Sequence, residues 1–193
     1  TQDSLFALTL FALNPLVLVE SLVSGHNDIV MVFLSLWSLF FLIDKKYTRS
    51  FLMLILSVGI KFSTVLLLPI FIYIALKQLK NITVDFRKVF MGIFVTMCIA
   101  FVITSFASGT NKNAELQPWY LLMVLPYLSL IVQKRLIIFI TVCVSFGMLA
   151  SYVPYILTGE WPKDIVDLKI KLLILSIVFG GIFYSVKRKF LIK

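Results

Sequence analysis

Eight side chains in this sequence could bind or move polar groups, and they fall in three short stretches. Glu20, His26, Asn27 and Asp28 stand close together. Lys61 stands alone in an apolar run, and Gln117, Trp119 and Tyr120 surround Pro118. A lysine held among apolar residues offers a fixed cation to an anionic leaving group. At a separation of about 4 Å and an effective dielectric of about 20, that attraction is worth roughly 4 kcal/mol. The alternative for Lys61 is a side chain snorkelling from a short turn. His26, the one histidine of the chain, and Asp28 could hold a hydroxyl, a phosphate through the imidazole, or a metal through the carboxylate. The alternative there is helix capping by Asn27 and Asp28, with His26 in water. Glu20 could accept a hydroxyl or pair with Lys61, or be a rim acid on an interfacial helix.

The elements that carry these groups are set by the solvent. The chain has 193 residues, is 61% hydrophobic and only 14% charged, with a mean hydropathy of +1.04. A water-soluble domain carries about 25% charge, so the solvent for most of this chain is lipid. The formal net charge of +9 is read as loop lysines and arginines that orient a membrane protein, not as a nucleic-acid surface. Cys98 and Cys143 each sit midway along an apolar run, which points to neither a disulfide nor a metal site. A divalent cation is possible, but one His and scattered carboxylates give no ligand spacing. The sequence opens on Thr1 without a signal-peptide pattern, and the expectation is that this stretch is the downstream part of a longer chain.

The apolar runs predict an all-α polytopic membrane protein, one transmembrane domain over residues 1–193 with about eight spans. Asn14-Pro15 reads as a helix stop and restart, Asn as N-cap and Pro at the first position, and Gly25 ends the short helix that follows. Leu5 to Leu13 closes the first span, or continues through Leu22 as one kinked span. Ile29 to Ile43 is the second. Phe51 to Leu76 would make a single helix of roughly 39 Å, against a hydrocarbon core of about 30 Å, so it is read as two short spans turning at Lys61. Phe90 to Phe106, Trp119 to Val132, Leu136 to Tyr155 and Leu172 to Val186 complete the set. This arrangement puts 13 of the 18 basic residues on the cytoplasmic side, as orientation by positive loops requires. The C-terminus is then cytoplasmic, and the outer loops are about 20–28, 105–118 and 155–167.

Three stretches carry a resemblance. NPLVLVESLVSGHNDIVM, KFSTVLLLPIFIYIAL and LQPWYLLMVLPYLSL together resemble the later spans of GT-C integral membrane glycosyltransferases. The likeness is closest to polyprenol-phosphate-mannose-dependent mannosyltransferases. The resemblance implies a plasma-membrane enzyme working on the outer face. It would move a hexose, mannose first among the candidates, from a polyprenyl-phosphate donor to a glycan, glycolipid or protein acceptor, with inversion. It also implies a general base in an acidic outer loop that would lie before Thr1, so no catalytic residue is assigned within this chain. Lys61 would face the donor phosphate, with Glu20, His26, Asn27, Asp28, Gln117, Trp119 and Tyr120 as the other substrate-binding candidates.

An indole stacks well on a sugar or prenyl face, although Trp119 and Tyr120 at a span end also suit an aromatic belt. Glu160 and Trp161 could shape an acceptor cleft or be plain loop. Two other classes stay open: a lipid or solute transporter, and a non-catalytic membrane scaffold. Paired broken helices would favour the transporter; here the Pro and Gly breaks do not pair. The partners expected are the lipid-linked donor, the acceptor and membrane lipids, with no nucleic acid.

Overall fold

The computed structural model describes residues 2–107 and 116–191, with side chains over 4–106 and 116–186. The predicted positions Lys112 and Lys193, the middle of the loop 105–118, and the side chains of Lys187, Arg188 and Lys189 lie outside the described residues. The described chain is all-helical, with no strand among its residues.

Helix α1 (Gln2–Ala12) ends one turn before α2 (Pro15–Leu18). The restart is the one the sequence dictates: the Asn14 side chain accepts from the Leu16 N–H at 3.0 Å, and Pro15, which has no N–H to waste, takes the first position. The two segments meet at 52°. The next turn, Val19–Val23, is a π-turn in which the Ser24 N–H reaches back five residues to the Val19 carbonyl. Such turns gather at functional sites. Gly25 follows with φ +67 and open space where a Cβ would be. Backbone conformation, not crowding, is therefore what asks for glycine there.

Helices α3 (Asp28–Ile43) and α4 (Tyr47–Ile60) form an antiparallel pair. Small residues let the backbones approach. Ser38 and Ser50 each donate to the other's carbonyl, at 2.6 and 2.9 Å, and Ser57 donates to the Met31 carbonyl at 2.8 Å. At Lys61 the backbone becomes extended (φ −154, ψ 127), then resumes as a 3-10 segment Phe62–Leu67 and α5 (Leu68–Leu79). The break predicted at Lys61 is present.

Helix α6 (Phe86–Ala107) is capped by Asp85, whose carboxylate accepts from the Arg87 and Lys88 N–H groups. The bond from the Lys88 backbone, with the nearby ammonium, holds that carboxyl below its usual pKa. The predicted span 119–132 is not one helix. It is a 3-10 segment Pro118–Met123, a single α-turn α7 (Leu125–Leu128) and a second 3-10 segment Ser129–Ile131. Pro118 and Pro126 at the segment starts explain the interruptions.

Helix α8 (Arg135–Ala150), the short α9 (Val153–Thr158) and α10 (Ile165–Leu191) complete the chain. The loop expected over 155–167 therefore shrinks to the residues between α9 and α10, and the loop expected over 20–28 is helical through Val23. Helix α10 packs antiparallel on α8 through Gly147 and Gly180, whose places for a Cβ are taken by Ser176 and Ile140.

Three of these helical stretches are long and apolar enough to cross a membrane: Phe62–Leu79, Phe86–Phe106 and Arg135–Thr158. The bent pair Ser4–Ala12 and Pro15–Val23 makes a fourth if counted as one span. Asp28–Ile43, Tyr47–Ile60 and Pro118–Ile131 are apolar but shorter, below the roughly 20 residues a helix perpendicular to the bilayer needs. Leu16, Met31, Phe71, Ile93, Met97, Leu122 and Tyr127 fill the centre, fully buried. Outward faces stay apolar, as at Phe40, Ile55, Val102 and Phe179, which suits contact with acyl chains rather than water.

Candidate functional site

The antiparallel order of the helices decides which residues meet. Asp28 begins α3, Lys61 follows the end of α4, Pro118 opens the third stretch, and Tyr152 follows the end of α8. All four positions fall at one end of the molecule. Lys45 and Lys46 occupy the turn at the other end of the α3–α4 pair, and Arg49 the first turn of α4.

Asp28 is almost fully buried, and its carboxylate bonds the Lys61 ammonium at 2.5 Å; the Lys61 side chain keeps 24% of its exposure. The ammonium also lies 4.7 Å over the Tyr120 ring, a distance at which the ring's quadrupole attracts a cation. A buried carboxylate without a partner is strongly unfavourable, so each member of this pair holds the other in place. Asn27 does not cap α3 through its side chain. Asp28 serves Lys61 instead, so the predicted capping role of these two residues is replaced.

Glu20 is fully buried. It lies within the π-turn Val19–Val23. Of the readings open for it, pairing with Lys61 does not occur; two other groups lie against its carboxylate. The Tyr152 hydroxyl donates to its Oε1 at 2.7 Å, and its Oε2 lies 3.5 Å from the His26 Nε2. That Oε2 has no hydrogen-bond partner among the described residues. The His26 N–H donates to the Glu20 carbonyl at 3.0 Å, which folds the SGHN turn back on the π-turn. The His26 ring stacks on Trp119, centroids 4.2 Å apart and planes 21° from parallel.

The QPWY segment touches each part of the cluster. Gln117 accepts from the Lys169 ammonium at 2.7 Å, Trp119 carries His26, and Tyr120 covers Lys61. Trp161 stacks on Tyr155 at 4.7 Å, and Lys169 lies 5.5 Å over its ring. Trp161 stands in the exposed loop between α9 and α10, with its ring against Tyr155 and Lys169. Of the eight candidates, Asn27 has no side-chain bond described, and the other seven converge. Tyr152 and Lys169 join them from parts of the chain not singled out. Their partners are 132 and 52 residues away in sequence, so no local spacing signals them. The nearest hint is that each is a polar residue at the rim of an apolar run.

No three His, Cys, Asp or Glu side chains gather around one point among the described residues. Cys98 and Cys143 are free and half-buried. A paired lysine and carboxylate, a stacked imidazole and indole, and glutamine at one end of apolar helices can bind an anion beside a polyhydroxylated ring.

Residues 1–77 match a family model described as Alpha-(1->6)-mannopyranosyltransferase, N-terminal domain (MptA_B family). The matched stretch carries Glu20, His26, Asn27, Asp28 and Lys61 and supports a mannosyltransferase reading, hence a glycosyltransferase with a sugar donor and an acceptor. No curated protein and no solved structure matches the chain.

Proposed function

We propose that this chain forms part of an inverting GT-C membrane glycosyltransferase. It would transfer mannose from a polyprenyl-phosphate donor to a hydroxyl of a glycan or glycolipid on the outer face of the plasma membrane. The observation that carries this reading is Lys61. It is a lysine in an apolar stretch, held at the helix end by Asp28 and Tyr120 beside His26 and Trp119. The family likeness over residues 1–77 supports mannose as the sugar.

The printed linkage of that family, α(1→6), constrains the chemistry if it applies here. The nucleophile is then the primary hydroxyl at C6 of an acceptor hexose. Its oxygen attacks the anomeric carbon, the bond from that carbon to the phosphate oxygen breaks, and the polyprenyl phosphate leaves with the electron pair. An α product formed with inversion requires a β-linked donor. The leaving phosphate gains negative charge as the bond breaks, and in this reading the Lys61 ammonium stabilises it. The hydroxyl proton goes to a general base. Glu20 and Asp28 are both engaged, by Tyr152 and Lys61, so neither is given that role.

The shorter apolar helices α3 and α4 and the stretch from Pro118 to Ile131 would cross obliquely or in a thinned bilayer. With α10 as one further crossing, that gives about eight, with the C-terminus and the basic turns cytoplasmic. The test is product analysis. Membranes containing the full-length protein are given polyprenyl-phosphate mannose labelled in the sugar and an α(1→6)-linked oligomannoside. The expected product is the oligomer one mannose longer, cleaved by an α(1→6)-mannosidase. Release of free mannose alone, or no label in the oligomer, would reject the assignment.

A further inference from the structure

Glu20 is a fully buried carboxylate with one oxygen held by Tyr152 and the other without a hydrogen-bond partner among the described residues, 3.5 Å from the His26 Nε2. A buried acceptor left open is disfavoured, and a slight turn of the imidazole would close it. An ionised carboxylate is an acceptor only. The Tyr152 hydroxyl has donated to Oε1, so what the open Oε2 can take from His26 is an N–H.

We propose that Glu20 and Tyr152 fix His26 as the Nε2–H tautomer, which leaves Nδ1 as a hydrogen-bond acceptor for a hydroxyl of the mannose substrate. A neutral imidazole has one donor nitrogen and one acceptor nitrogen, and the partner of the first decides the second. His26 therefore reads a sugar hydroxyl rather than the phosphate, which falls to Lys61. Stacking on Trp119 fixes the plane of the ring, and the folded-back turn fixes its backbone. Glu20 and Tyr152 are positioning residues, and Tyr152 brings the end of α8 into a site otherwise built from residues 20–61 and 117–120 with Lys169. The assignment deepens the mannosyltransferase reading and rests on it.

His26 is the single histidine of the chain, so one pair of ring nitrogens answers the question. In the full chain labelled with ¹⁵N-histidine, at alkaline pH where an imidazole is neutral, the ring should carry its proton on Nε2. Glu20→Gln should move the proton to Nδ1, because Tyr152 takes the amide oxygen and the NH₂ group then faces Nε2. Tyr152→Phe should weaken the preference. An Nδ1–H ring in the wild type, or no change in Glu20→Gln, overturns the proposal.

Binding gives the second readout, with two probes for the two sources of the hydroxyl. Polyprenyl-phosphate mannose compared with polyprenyl phosphate alone reports the donor sugar. A free α-mannoside reports the acceptor. Glu20→Gln should lose about tenfold on one sugar-bearing probe and nothing on polyprenyl phosphate, with its melting temperature unchanged or raised. In a His26→Ala background the same substitution should have no further effect. Lys61→Ala should weaken polyprenyl phosphate as well. If Lys61→Ala binds it as the wild type does, the phosphate reading fails while the His26 assignment stands. If Glu20→Gln binds both sugar probes as the wild type does, or lowers melting and all binding together, the His26 assignment fails alone.

Discussion

The Lys61 ammonium and the Asp28 carboxylate meet at 2.5 Å although 33 residues separate them, and Asp28 is buried while Lys61 keeps part of its exposure. That asymmetry predicts unequal consequences for removing either partner. Lys61→Met leaves a buried charge alone and should destabilise by about 3 kcal/mol. Asp28→Asn leaves a lysine that can turn toward water, and should lose less. The double variant should be more stable than Lys61→Met alone. Thermal unfolding of the four proteins in one detergent measures the coupling; additive effects would mean that the pair does not hold this end together.

The α8–α10 pair depends on two glycines. A Cβ at Gly147 would fall 1.9 Å from the Ser176 Oγ and 3.2 Å from the Leu172 carbonyl, whereas one at Gly181 meets nothing. Gly147→Ala should therefore destabilise by about 1–3 kcal/mol, the usual range for overpacking. Gly181→Ala should be neutral or slightly stabilising, as alanine favours a helix over glycine. Equal melting temperatures for the two variants would refute the close approach of these helices.

The helix order also predicts which turns share a side of the membrane. With Cys98 and Cys143 replaced by alanine, single cysteines at Ser24 and Lys163 should react with an impermeant maleimide on intact cells. Cysteines at Lys46, Lys80 and Lys134 should react only after permeabilisation. Labelling of the Ser24 and Lys46 positions from the same side would contradict the proposed orientation.

Much of the first third was legible in the sequence, because its signals are local. Asn14-Pro15 starts a helix as a cap and first-position pair, Gly25 takes a positive φ, and the chain breaks at Lys61. The partners of the charges were less legible. Glu20 was open to a sugar hydroxyl, to Lys61 or to a rim position, and in the fold it is buried in a π-turn against His26 and Tyr152. Asp28 was open to ligand contact or to capping, and its pairing with Lys61 was in neither reading. Trp119 and Tyr120 suited an aromatic belt as well as a site. Only the fold shows that one carries His26 and the other covers Lys61. The span read over 119–132 is an apolar helical stretch, interrupted at Val124 ahead of Pro126.

Turnover of the lipid-linked donor in two lysine variants tests the central claim most directly. Lys61 sits at the polar end. Lys77, over the Tyr73 ring on the last turn of α5, sits among the basic turns. With labelled polyprenyl-phosphate mannose and the full-length protein, Lys61→Ala should slow transfer by about 10²–10³-fold, the range for losing one electrostatic contact to a developing charge. Lys77→Ala should turn over as the wild type does. Wild-type transfer by Lys61→Ala, or an equal loss in both variants, would contradict a donor phosphate held at Lys61.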